Sequence, residues 1–193
     1  QTDLAGNNSP ASAVVTYNLD TTAAAPTLAL ATDSGSSNSD GITNVATVNV
    51  SGLESGATWQ YSVDGGAFIA GTGSSFNLTA GAHTYRVKQS DVAGNLSPAS
   101  SAFVYNLDTT AAAPTLALAT DSGNSNSDGI TNVATANVLG LESGATWQYS
   151  VDGGGFIAGT GSSFNLTAGA HTYSVKQTDL AGNNSPASAV VTY

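Results

Sequence analysis

Thr58-Trp-Gln-Tyr-Ser-Val-Asp-Gly-Gly66 is the stretch that decides the fold. In an extended chain Trp59, Tyr61 and Val63 fall on one face and Gln60 and Ser62 on the other, because side chains alternate with a period of two. Asp64-Gly65-Gly66 then supplies a hairpin turn, since glycine adopts the positive φ that a tight turn requires. Working outward, the same pattern predicts short strands over residues 26–32, 44–53, 68–71, 74–78, 84–89 and 99–105. Within 84–89, Tyr85, Val87 and Gln89 oppose Thr84, Arg86 and Lys88. Turn-rich segments separate them: Asp33-Ser-Gly-Ser-Ser-Asn-Ser-Asp-Gly41, Glu54-Ser-Gly56 and Asp91-Val-Ala-Gly-Asn95. Short strands with turn signals roughly every 8–12 residues describe an all-β fold, an antiparallel immunoglobulin-like β-sandwich of about seven strands. No apolar stripe at helical spacing competes with this reading.

The pattern occurs twice. Leu19-Asp-Thr-Thr-Ala-Ala-Ala-Pro-Thr-Leu-Ala-Leu-Ala-Thr returns at Leu107, 88 residues later. Trp59 matches Trp147, His83 matches His171, and Gln1-Thr-Asp-Leu-Ala-Gly-Asn-Asn-Ser-Pro reappears from Gln177. The chain therefore divides into residues 1–18 (the terminal turn and last strand of a preceding repeat), repeat 1 at 19–106 and repeat 2 at 107–193. Units of this length bury enough surface to fold singly, unlike the shorter units of a solenoid. The expected organisation is a row of separate sandwiches within a longer array. Residues 1–18, as an unpaired strand, are expected to pair with a sheet edge of a neighbouring molecule or to stand in for continuity in a longer array.

Thirteen acids against three basic residues give a net charge of −10. This excludes a nucleic-acid partner, which needs a basic surface. No run approaches the ~20 apolar residues of a membrane span, so no membrane insertion is expected. There is no cysteine to build a disulfide framework, so rigidity outside the cell would need another source.

The acids all fall in turns or in the lead-in to a repeat. Repeat 1 carries Asp20, Asp33, Asp40, Glu54, Asp64 and Asp91; repeat 2 carries Asp108, Asp121, Asp128, Glu142, Asp152 and Asp179. Alternate loops of an up-and-down chain lie at opposite poles of a sandwich. Asp20, Glu54 and Asp91 should therefore share one pole, and Asp33, Asp40 and Asp64 the other. Crowded carboxylates without basic neighbours raise one another's pKa or recruit a cation. An all-oxygen set in flexible loops suits Ca²⁺ rather than Mg²⁺, with Asn95, Asn44, loop carbonyls and water completing the shell. The linker to repeat 2 is short and lacks Gly/Ser character. The lower pole of repeat 1 should thus face Asp108, Glu142 and Asp179, with calcium fixing the angle between neighbouring repeats. Against this stands ordinary turn chemistry: Asp before Gly, as at Asp64 and Asp152, is a common turn residue without any metal.

Five segments resemble the bacterial immunoglobulin-like repeats of giant secreted adhesins, including the extender regions of RTX adhesins. They are Leu19-Asp-Thr-Thr…Ala-Pro-Thr27, Asp33 to Asn44, Gly52-Leu-Glu-Ser-Gly-Ala-Thr-Trp59, Tyr61-Ser-Val-Asp-Gly-Gly66 and Asp91-Val-Ala-Gly-Asn95. The resemblance implies extracellular, calcium-binding modules on the bacterial cell surface. The residues before Pro26 are Ala-rich where such repeats are usually Pro-rich.

A non-catalytic spacer that projects a distal adhesive domain is the expected function. The alternative is a module that binds a carbohydrate or protein through its loops, for which Phe68 and Phe76 are the candidate exposed aromatics. An enzyme is not expected: His83 is the repeat's only histidine and has no nucleophile beside it.

Overall fold

Alternation and turn chemistry place the strands close to where the sequence puts them. The computed structural model describes residues 1–193 and contains strands only. Repeat 1 holds β1 (Thr27–Leu30), β2 (Ile42–Thr43), β3 (Thr47–Ser51), β4 (Thr58–Val63), β5 (Ile69–Ala70), β6 (Ser75–Asn77), β7 (Gly81–Ser90) and β8 (Phe103–Leu107). They form a three-stranded sheet, β1-β3-β6, and a five-stranded sheet, β2-β8-β7-β4-β5. Repeat 2 reproduces this with β9 (Thr115–Leu118), β10 (Thr135–Leu139), β11 (Thr146–Val151), β12 (Ile157–Ala158), β13 (Ser163–Asn165), β14 (Thr172–Thr178) and β15 (Val191–Thr192). Its sheets are β13-β10-β9 and β12-β11-β14-β15.

The strand absent from the sequence reading is β2. It pairs parallel with β8, Ile42 opposite Asn106 and Thr43 opposite Leu107. Two residues inside a polar loop leave no alternation to read. The last strand also runs through Leu107, which lies buried in the core of repeat 1.

Between the sheets, Leu28, Val48, Val50, Trp59, Tyr85 and Val87 form the core, ringed by partly buried Tyr61, Phe76 and Tyr105. The Trp59 indole N–H donates to the Gly73 carbonyl at 2.8 Å, and its ring fills the space where any side chain at Gly71 would sit. The Thr79 N–H donates to the Tyr85 hydroxyl at 3.0 Å, closing the corner before β7. The hairpin after β4 takes its positive φ at Asp64 (51°) as well as at Gly65 (73°).

Residues 1–9 fold into the same closed turn as residues 89–97. The Asp3 N–H donates to the Asn7 carbonyl and the Ser9 N–H to that of Gln1. Residues 11–17, expected to be a strand, pair with nothing in this chain. The reason is topological: in repeat 1 the equivalent segment is received by β7, and no such strand stands beside residues 11–17 in this chain.

Candidate metal centre at the acidic pole

Three loops deliver the acidic pole of each repeat. Asp20, Glu54 and Asp91 bring one carboxylate oxygen each to within 4.8 Å of the others, and Asp108, Glu142 and Asp179 do the same in repeat 2. Asp91 and Asp179 are buried and the other four half-buried. At such separations two like charges repel by about 3 kcal/mol at an effective dielectric of about 20. No basic side chain relieves this. Lys88 and Lys176 lie over the rings of Phe68 and Phe156, and Arg86 donates to the Ser100 carbonyl.

The geometry is held by residues that sequence reasoning passed over. Gln89 is buried, and its Nε2 donates to the carbonyls of Ala24 (2.7 Å) and Gly52 (3.1 Å). Its Oε1 accepts the Glu54 N–H at 2.9 Å. One side chain thus ties the lead-in, the β3–β4 loop and β7 together, and Gln177 repeats the arrangement. Glu54 Oε1 in turn accepts the Ala24 N–H. A glutamine on the apolar face of a predicted strand was the available signal.

Asn95, expected as an oxygen ligand, engages the pole through its nitrogens. Its Nδ2 donates to Asp91 Oδ2 (2.7 Å) and to the Asp20 carbonyl (3.1 Å), and its N–H donates to Asp91 Oδ1. This amide holds the Asp91 carboxyl below the usual range, so it stays ionised. Asp3 makes the same bonds with Asn7, far from any other acid, so turn closure alone accounts for that part of Asp91's contacts. The oxygens of Asp20 and Glu54 not used in backbone bonds remain available to a cation.

The acids of the other pole do not converge. Asp64 accepts the Thr84 N–H and pairs with His83 Nδ1 at 2.6 Å, and Asp152 does likewise with Thr172 and His171 at 2.7 Å. The Thr84 bond first, then His83, lowers the pKa of Asp64; the bond to Asp64 raises that of His83. Asp40 and Asp128 accept the N–H groups of Ile42 and Ile130. Asp33 and Asp121 accept those of Gly41 and Gly129, each leaving a buried Oδ1 without a partner. The Asp33 charge adds to burial in raising the Tyr105 hydroxyl.

The loop carrying Asp33 meets the turn carrying Asp179. The Ser34 hydroxyl lies 2.8 Å from the Ala181 carbonyl oxygen, and the Ser36 N–H donates to the Leu180 carbonyl at 3.2 Å. Gly35 sits directly on that backbone: a Cβ there would overlap the Leu180 carbonyl, whereas at Gly123 it would meet nothing. The facing poles expected from topology are thus in direct contact.

Neither candidate aromatic is free. Phe76 stacks on Tyr61 with centroids 4.3 Å apart, and Phe68 is half-buried beneath Lys88.

The family description "Bacterial Ig-like domain" matches residues 22–109 and again 110–192. The chain belongs to this family. Its two Bacterial Ig-like domains fit a structural or adhesive module. No curated protein matches the chain. Among solved structures it is similar to the fibronectin(III)-like modules of Clostridium thermocellum CbhA, at 14% identity and a TM-score of 0.39, over 86% of this chain and 92% of that one. No helix is long and apolar enough to cross a membrane.

Proposed function

We propose that the chain is part of the extender of a bacterial cell-surface adhesin of the RTX type: a non-catalytic, extracellular spacer whose domains are stiffened by calcium. The observation that carries this reading is the pair of matching tripods, Asp20/Glu54/Asp91 and Asp108/Glu142/Asp179, each without a counter-cation. Ca²⁺ fits the donor set, which is oxygen only and drawn from three loops. Bound there, it would neutralise the crowded carboxylates and cross-link the lead-in, the β3–β4 loop and the turn after β7. In repeat 2 that turn is the one touching Ser34 and Gly35, so stiffening the tripod stiffens the junction. Asp33 and Asp121, each with a free Oδ1, are the candidates for further ions at the opposite pole. The occupied aromatics favour a spacer over a loop-borne binding site for carbohydrate or protein. Reach then scales with copy number, at roughly 35–45 Å per repeat from strand length and loops.

Small-angle scattering of residues 19–193 tests it. Calcium should narrow the distribution of maximum dimensions to one extended form, and chelator should broaden it. A profile that is the same in both conditions rejects calcium stiffening.

A further inference from the structure

The contact between the repeats closes into a ring of hydrogen-bonded groups. The Ser34 hydroxyl accepts the Asn44 N–H at 2.8 Å and lies at the same distance from the Ala181 carbonyl oxygen. Thr43, next to Asn44, is buried, and its carbonyl accepts the Asp108 N–H at 2.9 Å. The Asp108 carbonyl in turn accepts Asn183 Nδ2 at 2.9 Å, and Asn183 belongs to the same turn as Ala181. The circuit therefore runs from repeat 1 into the lead-in of repeat 2, through the Asp179–Asn183 turn, and back to Ser34. Strand β2 is part of it, because Ile42 and Thr43 pair with Asn106 and Leu107 just before Asp108.

What repeat 1 meets in its neighbour is backbone. Ser34 and Ser36 engage the carbonyls of Ala181 and Leu180. Ala181 is 1% exposed, and Gly182 stands against Gly35: a Cβ at Gly182 would lie 3.1 Å from the Gly35 Cα and 3.3 Å from its nitrogen. Small residues on both sides let the two loops approach closely enough for these bonds to form.

We propose that this interface couples the folding of the two repeats: the loop from Ser34 to Asn44, with β2, is held closed by the Ala181–Asn183 turn of repeat 2, and opening either one releases the other. In a row of domains that touch only their neighbours, stability is the sum of what each domain has alone and what each interface adds. Here the interface groups are buried or half-buried, so losing one partner strands the other. Members of one closed network also depend on each other. If the turn swings away, the Ser34 hydroxyl loses Ala181, the Ser36 N–H loses Leu180, and the Asp108 carbonyl loses Asn183. The Asp108 N–H then holds Thr43 from a loosened lead-in, and β2 loses the fixed end of its pairing. The repeats remain two sandwiches, with this one element in common. The ring consists of protein groups alone, so the proposal does not rest on the calcium reading. Its members lie between residues 34 and 183, and neither terminus takes part.

Amide hydrogen exchange followed by NMR in chelator, on the whole chain, tests it. The Asn44 N–H donates within repeat 1, and that of Asn183 within repeat 2, to Asp179 Oδ1. Asn183→Ala should nonetheless speed exchange at Asn44 and Asn106 about tenfold, by raising the population of the open junction. Ser34→Ala should do the same in the other direction, at Gly182 and Asn183. Ser122 accepts the Asn132 N–H in the corresponding loop of repeat 2 but stands outside the ring. Ser122→Ala should therefore leave Asn44 within about twofold of the wild type. Faster exchange across the junction in both ring variants, with Asn44 unmoved by Ser122→Ala, supports the coupling. Unchanged exchange across the junction in either ring variant overturns it, as does an effect of Ser122→Ala on Asn44 as large as that of Asn183→Ala. Should Asn183→Ala fail to fold, Ser34→Ala decides the matter in the same way.

Discussion

Gln89 and Glu54 are joined through the backbone: the Glu54 N–H donates to Gln89 Oε1 at 2.9 Å, deep below the acids that crown the repeat. The two donors of the same amide hold Ala24 and Gly52, so a neutral core residue sets where a surface carboxylate stands.

Replacing Gln89 by Leu leaves the Ala24 and Gly52 carbonyls and the Glu54 N–H without their partner. Each stranded buried group costs about 1–3 kcal/mol. Allowing for partial rescue by water, Gln89→Leu should lower the stability of repeat 1 by about 2–4 kcal/mol in urea denaturation, and Gln177→Leu should do the same to repeat 2. A loss below 0.5 kcal/mol would show that the amide does not hold these loops.

Gly35 and Gly123 occupy the same loop position with φ of 93° and 107°, so alanine meets a similar backbone penalty at both. Only at Gly35 does the new Cβ strike the neighbouring repeat. Gly35→Ala should therefore open the junction in small-angle scattering, while Gly123→Ala leaves its angle unchanged. Equal scattering from the two variants would mean that the Gly35–Leu180 contact does not set the angle.

The histidine–aspartate pairs give stability a pH dependence. His83 and His171 have raised pKa values, so their contribution is complete below about 6.5 and is lost as pH rises through the folded-state values above that. Asp64 and Asp152 have lowered values, so theirs is complete above about 3.8 and is lost as pH falls through the folded-state values below. Both contributions are present together between about pH 3.8 and 6.5. Melting temperature in chelator should decline above that window. A His83→Gln/His171→Gln chain should lose this alkaline decline and keep the acid one, because the Thr84 and Thr172 N–H groups still hold the carboxylates. A double variant whose alkaline limb still matches the wild type would assign the decline to other groups.

Calcium should raise the melting temperature across the millimolar range, since binding to the folded state alone adds about 2.7 kcal/mol per site at a hundredfold excess over Kd. Asp108→Asn, Glu142→Gln and Asp179→Asn together should remove the response of repeat 2 and leave its Trp147 fluorescence native. Superimposable melts in calcium and chelator would reduce the tripods to solvated loop residues.

The strands flanking Trp59 were legible because alternation and turn residues act locally: β4 falls on the predicted residues 58–63. Sorting loops by pole was enough to bring Asp20, Glu54 and Asp91 together, since loops on one end of a sandwich have nowhere else to go. The same sorting put Asp64 with Asp33 and Asp40, but His83 lies on β7, the strand paired directly with β4, and engages Asp64 first. β2 and the slot filled by Leu107 escaped because parallel pairing between distant loops leaves no periodic trace. Gly35 was hidden for a related reason: its requirement comes from the other repeat, not from its own turn.

The peptide bond between Leu107 and Asp108 joins a core residue of one repeat to a tripod residue of the next. Tension drawn along an array would enter each sandwich through that bond. Leu107 is gripped by β7 on one side and β2 on the other, and β8 leads directly into that bond. The ladder bonds of β8 would then share the load and yield together rather than opening one after another. In the proposed spacer, a residue that looks like ordinary core filler would thereby be the anchor at which the array takes strain.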